Sequence, residues 1–160
     1  MLRQLADEIL EYAQARQQTI VTAESCSAGV LALAFAKGEG ASEAFLGGFV
    51  TYTKDMKSRV LGVPAPLLKD KTAVCGEVAE AMAIGALLKS GASIAVSITG
   101  VAGPNEDEDG NPVGLVYCAV ARKDGGWRHL RLTCSGTSPE AIIDEACVSA
   151  LRLVKNFCFS

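Results

Sequence analysis

The sequence is poor in the side chains that most often carry chemistry. Among 160 residues there is one histidine, His129, and one tryptophan, Trp127. A nucleophile that needs an imidazole base has a single candidate for it. Six cysteines occur, at positions 26, 75, 118, 134, 147 and 158, but no two form a Cys-x-x-Cys pair. A zinc site needs clustered Cys or His ligands, which this spacing does not offer. Isolated cysteines inside apolar segments pack as small hydrophobes, so the chain reads as a reduced, cytoplasmic protein without disulfides. No apolar run reaches the ~20 residues that a membrane span requires. The first residues, Met1 to Arg16, are charged and amphipathic, unlike a signal peptide. The 15 Lys and Arg residues are scattered rather than gathered into a stripe, and the formal charge is −3. A nucleic-acid partner is therefore not expected. Neither a P-loop nor a GxGxxG fingerprint is present, which argues against ATP or NAD; no cofactor or metal is expected.

What the chain does have is apolar content, 49% of its residues, at a length that suits one domain over residues 1–160. Leu2, Leu5, Ile9, Leu10 and Ala13 recur at helical spacing with charges between them. Thr19 to Ala23 reads as a buried strand, followed by a turn, Glu24 to Gly29, and the apolar run Val30 to Ala36. Beyond a Gly-rich link from Lys37 to Ser42, Gly47 to Thr53 reads as a second strand, and Asp55 as the cap of a helix reaching Leu61. Pro64 and Pro66 mark a connector. A helix over Glu77 to Leu88 and a buried strand over Ser93 to Thr99 follow. The strands Val113 to Arg122 and Trp127 to Cys134 flank a hairpin turn, Lys123 to Gly126, and a closing helix runs from Pro139 to Phe157. Strands separated by helices, with one hairpin, predict an α/β fold. The expected architecture is a three-layer α/β/α sandwich on a mixed, mostly parallel sheet.

Three segments hold candidate chemistry. Ser25 stands between a strand and a helix, where unpaired N–H groups and the helix dipole would favour an oxyanion. Taken alone, the local pattern favours Ser25 or Ser27 as a helix cap. Tyr52 ends a strand and Lys57 lies about one turn into the next helix. A buried lysine can lose its proton near neutral pH and act as a base, whereas a solvated lysine does neither. Thr99, Gly100 and Gly103 form a strand end where backbone approaches a ligand, or a structural turn. The acidic stretch after Asn105 begins like a calcium loop, but its twelfth position is Val116 where a glutamate is required. It reads as a solvated loop tip.

In order, these segments resemble the CinA C-terminal family. The resemblance lies in Thr22-Ala23-Glu24-Ser25-Cys26, Gly48-Phe49-Val50-Thr51-Tyr52 with Lys57, and Leu61-Gly62-Val63. It continues in Val78-Ala79-Glu80-Ala81-Met82-Ala83, Ile98-Thr99-Gly100-Val101-Ala102-Gly103-Pro104 and Pro112-Val113-Gly114. It implies hydrolysis of the carboxamide of nicotinamide mononucleotide to nicotinate mononucleotide and ammonia. In that reading Ser25 attacks, Lys57 takes its proton, and Tyr52 orients or assists. Backbone N–H groups after Ser25 hold the oxyanion. Glu24, Cys26, Ser27, Thr99, Gly100 and Gly103 are the implied substrate contacts, and a homodimer is the implied assembly.

The sequence departs from the family pattern where Gly136 to Ile143 lacks the usual arginines, which would suit a phosphate. Cys75-Gly76 replaces a serine, and Lys54 replaces an asparagine and offers a substitute positive charge. Two other readings follow from these departures. One is an amidohydrolase for a related carboxamide, and the other is an inactive nucleotide-binding or assembly module.

Overall fold

The structure is a computed structural model and describes residues 1–160. One five-stranded sheet, in the order β2-β1-β3-β4-β5, organises the chain. Its strands are β1 (Ile20–Glu24), β2 (Phe45–Val50), β3 (Ile94–Gly100), β4 (Leu115–Arg122) and β5 (Trp127–Thr133). β1 pairs in parallel with both β2 and β3, while β4 pairs antiparallel with β3 and with β5. Four strands therefore point one way and only β4 is reversed, the mixed sheet that the alternation of elements predicts.

The helices are α1 (Leu2–Ala15), α2 (Val30–Ala36), α3 (Ala41–Ala44), α4 (Lys54–Leu61), α5 (Ala65–Asp70), α6 (Gly76–Ser90) and α7 (Pro139–Cys158). No helix is long and apolar enough to cross a membrane. Strand side chains alternate between the two faces. Ile20, Ile94, Val96, Ile98, Val116 and Val120 pack with α1, α2 and α7. The intervening positions, among them Ala23, Ala95, Ala119 and Ala121, pack with Val78, Ala79, Met82 and Ala83 of α6. Small residues on this second face let α6 lie close to the sheet, near enough for the Ser97 hydroxyl to donate to the Ala79 carbonyl at 2.6 Å.

Several boundaries differ from the sequence reading. β2 begins at Phe45 and ends at Val50 rather than running to Thr53. The Thr51 N–H still donates to the Glu24 carbonyl at 2.8 Å, after which the chain turns out of the sheet. α4 is capped by Thr53, whose side chain accepts from the Met56 N–H, and not by Asp55, which instead pairs with Arg59 at 2.7 Å. The Gly-rich link runs into α3, and the proline connector contains α5, with proline in its first turn where a missing N–H costs nothing.

The chain moves outward from β1 to β2, then returns across β1 to β3. This reversal opens a crevice beyond the C-terminal ends of β1 and β3, the place where open α/β sheets take ligands.

Candidate active site

Three connections meet at that crevice: the turn after β1, the segment from β2 into α4, and the loop after β3. They enclose a cleft of about 570 Å³, a size that suits a small molecule.

Lys57 forms its floor. The side chain is 1% exposed, and its Nζ lies 2.8 Å from Ser25 Oγ, 2.9 Å from the Thr51 carbonyl and 3.1 Å from the Tyr52 carbonyl. Both carbonyls are free because β2 has already left the sheet. Desolvation disfavours the ammonium and lowers its pKa from the ordinary 10.5 to about 8. A neutral amine has two N–H donors and one lone pair. As an ammonium Lys57 donates to Ser25 Oγ and to both carbonyls, and the Ser25 hydroxyl lies 3.4 Å from the Tyr52 carbonyl. Once neutral, with the carbonyls taking its two donors, the amine can turn its lone pair to the Ser25 proton. Ser25 is itself buried, and its backbone N–H is tied to the Ile98 carbonyl at 3.0 Å, which fixes it against β3.

Other expected site residues divide into those that line the cleft and those that do not. Cys26, Thr99, Gly100 and Gly103 line it. Burial pushes the Cys26 thiol up to about 12, so it stays protonated and offers no competing nucleophile. The Thr99 hydroxyl donates to the Ala73 carbonyl at 2.7 Å and anchors the wall made by Ala73 and Val74. Gly103 has φ 88°, a left-handed conformation open to glycine.

Glu24 is a correction. It is fully buried outside the cleft, and its carboxylate accepts from the N–H groups of Gly29, Leu31 and Ala32 at 3.2, 2.9 and 2.9 Å. It caps α2, which has Gly29 where a capping side chain normally stands. Ser27 is a second correction: it is fully buried away from the cleft, and its hydroxyl has no partner. Neither Ser25 nor Ser27 caps the helix.

The donors at the start of α2 are thus taken by Glu24 and are not open to an oxyanion. The backbone N–H groups of Cys26 and Ser27, in the turn before the helix, donate to no main-chain carbonyl. Tyr52 also lines the cleft; the residue is 69% exposed, its side chain makes no hydrogen bond to Ser25 or Lys57, and its main-chain carbonyl is what holds the Lys57 amine.

The acidic stretch is solvent-exposed, as expected of a loop tip, and it also borders the cleft. Asn105, Glu106, Asp107, Glu108 and Asp109 form a wall of the cleft. The Asp107 carboxylate accepts from the Asn111 N–H at 2.7 Å and from its side-chain amide at 2.8 Å. Asp109 accepts from Thr72 at 3.1 Å and pairs with Lys54 at 3.0 Å. Lys54 is therefore committed to this wall and is no unpaired substitute for an arginine. The stretch Gly136 to Ile143 does not line the cleft; the N–H groups of Ser135 and Gly136 are held by the Glu145 carboxylate at 3.0 and 3.3 Å.

Fold and site together define an α/β/α-sandwich protein with a buried serine–lysine pair at the switch point of its sheet. The chain belongs to the CinA C-terminal domain family, whose pattern matches residues 2–158. It is 44% identical over 121 residues to a CinA-like protein of Synechococcus sp. (strain RCC307), covering 76% of this chain and 29% of that relative. It is 39% identical over 139 residues to a CinA-like protein of Citrifermentans bemidjiense, covering 87% of this chain and 33% of that relative. The chain thus spans a third or less of these relatives' length. Among solved structures, the competence/damage inducible protein CihA from Agrobacterium tumefaciens matches with a TM-score of 0.93 at 34% identity, over 97% of this chain and 94% of that one. A competence-damaged protein (CinA) superfamily protein from Escherichia coli matches with a TM-score of 0.91 at 32% identity, over 96% and 88%.

Proposed function

We propose that this chain is an amidohydrolase that cleaves a nicotinamide-type carboxamide to the acid and ammonia, using Ser25 as nucleophile and Lys57 as base. Nicotinamide mononucleotide is the substrate that the family resemblance implies. The observation that carries the reading is the buried Lys57 Nζ held 2.8 Å from Ser25 Oγ by two main-chain carbonyls.

Neutral Lys57 takes the Ser25 proton as Oγ bonds to the carboxamide carbon. The negative charge on the former carbonyl oxygen falls to backbone N–H groups following Ser25, with that of Cys26 at the cleft wall. The carbon–nitrogen bond then breaks, and the Lys57 ammonium gives its proton to the departing nitrogen, which leaves as ammonia. Water attacks the acyl ester, passing a proton to Lys57. The ester bond opens, Ser25 recovers its proton, and the acid is released. One water is consumed, and the enzyme returns unchanged.

Ammonia release from nicotinamide mononucleotide and from free nicotinamide by purified protein tests the proposal. Ser25→Ala and Lys57→Ala are each expected to lower turnover by about 10³-fold or more while the circular dichroism spectrum is retained. Turnover that survives Ser25→Ala would exclude it as the nucleophile.

A further inference from the structure

The chemistry at the cleft floor says what bond is broken, whereas the walls say what surrounds that bond. Those walls are acidic. Glu106, Asp107, Glu108 and Asp109, with Asp55 already paired to Arg59, set four carboxylates against two amines, Lys54 and Lys57, and no arginine lines the cleft. Lys57 sits at the floor with its contacts committed. The Lys54 ammonium lies 3.0 Å from Asp109 and 3.6 Å from Glu108, so its charge is answered within the wall. Glu106 has no partner in the protein. The acidic segment is also fixed in place, since Asp109 and Asn111 both bond to Thr72. A clustered single-sign field beside a low-dielectric floor raises the local concentration of opposite charge and repels like charge.

Ser25 and these carboxylates line one cleft, so the rest of a carboxamide seated on Ser25 lies within their field. A pyridine ring alkylated at its nitrogen carries a positive charge and gains from that field. A phosphate dianion beyond it meets like charge, with no arginine fork or unpaired lysine to receive it.

Resting on the Ser25–Lys57 hydrolase reading, we infer that the cleft selects a cationic, phosphate-free carboxamide. Its substrate class is an N1-substituted 3-carbamoylpyridinium of the riboside type, in preference to the mononucleotide. Glu106 and Glu108 act as specificity residues, through charge at the mouth and not through the reacting atoms.

The test compares ammonia release from nicotinamide riboside, nicotinamide mononucleotide and free nicotinamide, with and without added magnesium. The expected kcat/KM for the riboside is at least tenfold above that for the other two. Raising the salt concentration should lower kcat/KM for the riboside and raise it for the mononucleotide, since screening weakens both the attraction and the repulsion. In the double variant Glu106→Gln, Glu108→Gln, KM for the riboside should rise several-fold with kcat little changed, while KM for the mononucleotide falls. The salt series on unsubstituted protein reads the same charge effect if that variant does not fold. Ser25-dependent turnover of the mononucleotide at a kcat/KM equal to or above that of the riboside, in either magnesium condition, overturns this inference and leaves the hydrolase reading standing. No ammonia from any of the three overturns the hydrolase reading and this inference with it.

Discussion

Two adjacent residues at the end of β1 face opposite sides of the sheet and serve different ends. Glu24 turns toward α2 and satisfies three of its backbone donors; Ser25 turns toward α4 and meets Lys57. Glu24→Ala would leave those N–H groups buried without an acceptor, at a cost of about 3 kcal/mol or more, whereas Glu24→Gln keeps an acceptor and costs about half as much. Urea denaturation should rank the two variants in that order. Because Glu24 lies outside the cleft, the folded Gln variant should keep its KM for a carboxamide substrate. The sequence does contain a signal for this role, since α2 starts after a glycine and a cap must come from elsewhere. Proximity to Ser25 in the motif hides it. The contribution of Tyr52 through its carbonyl is hidden for a deeper reason: residue type carries no information about main-chain acceptors.

Between elements, the position of the Lys57 amine depends on how α4 rests on α6. Gly85 lies in α6 beneath the end of α4, and a Cβ there would run into the carbonyl oxygen of Leu61. Gly85→Ala is expected to cost about 1–3 kcal/mol by forcing the helices apart. It should also lower kcat at least tenfold, because a displacement of about 1 Å at a catalytic group is that costly. Thermal melting and ammonia release check the two effects.

The five strands and the longer helices are readable from sequence pattern, whereas the short α3 and α5 are not. The misread end of β2 comes from Val50-Thr51-Tyr52-Thr53, β-branched and aromatic residues that suit a strand. There the Thr51 and Tyr52 carbonyls go to Lys57 and not to a neighbouring strand, a long-range effect that no local pattern shows. The acidic loop is exposed as its composition suggests, but its place at the cleft is not legible locally, since Thr72 and Lys54 hold it from distant parts of the chain.

For the molecule as a whole, a buried amine is a stability cost that varies with pH. The folded-state pKa of Lys57 is about 8 against an ordinary 10.5, so between those values the unfolded chain holds more protons than the folded one. Stability contributed by this group therefore rises with pH across that window, and below about 8 the full cost of burying the ammonium applies, on the order of 3 kcal/mol. Lys57→Met removes this dependence. Melting curves of wild type and Lys57→Met, compared from pH 7 to 10, should show the wild type gaining on the variant by several degrees as pH rises.

The central claim is that Lys57 makes Ser25 a nucleophile, and its reactivity can be read without any substrate. A small sulfonyl fluoride forms a bond between Ser25 Oγ and sulfur and expels fluoride. Peptide mass mapping then gives the rate of labelling at that residue. The expected result is an adduct on Ser25 whose rate of formation rises with pH around a midpoint near 8 and is lost in Lys57→Met. Ser25 left unmodified, or labelled at a rate indifferent to pH and to the loss of Lys57, would contradict it.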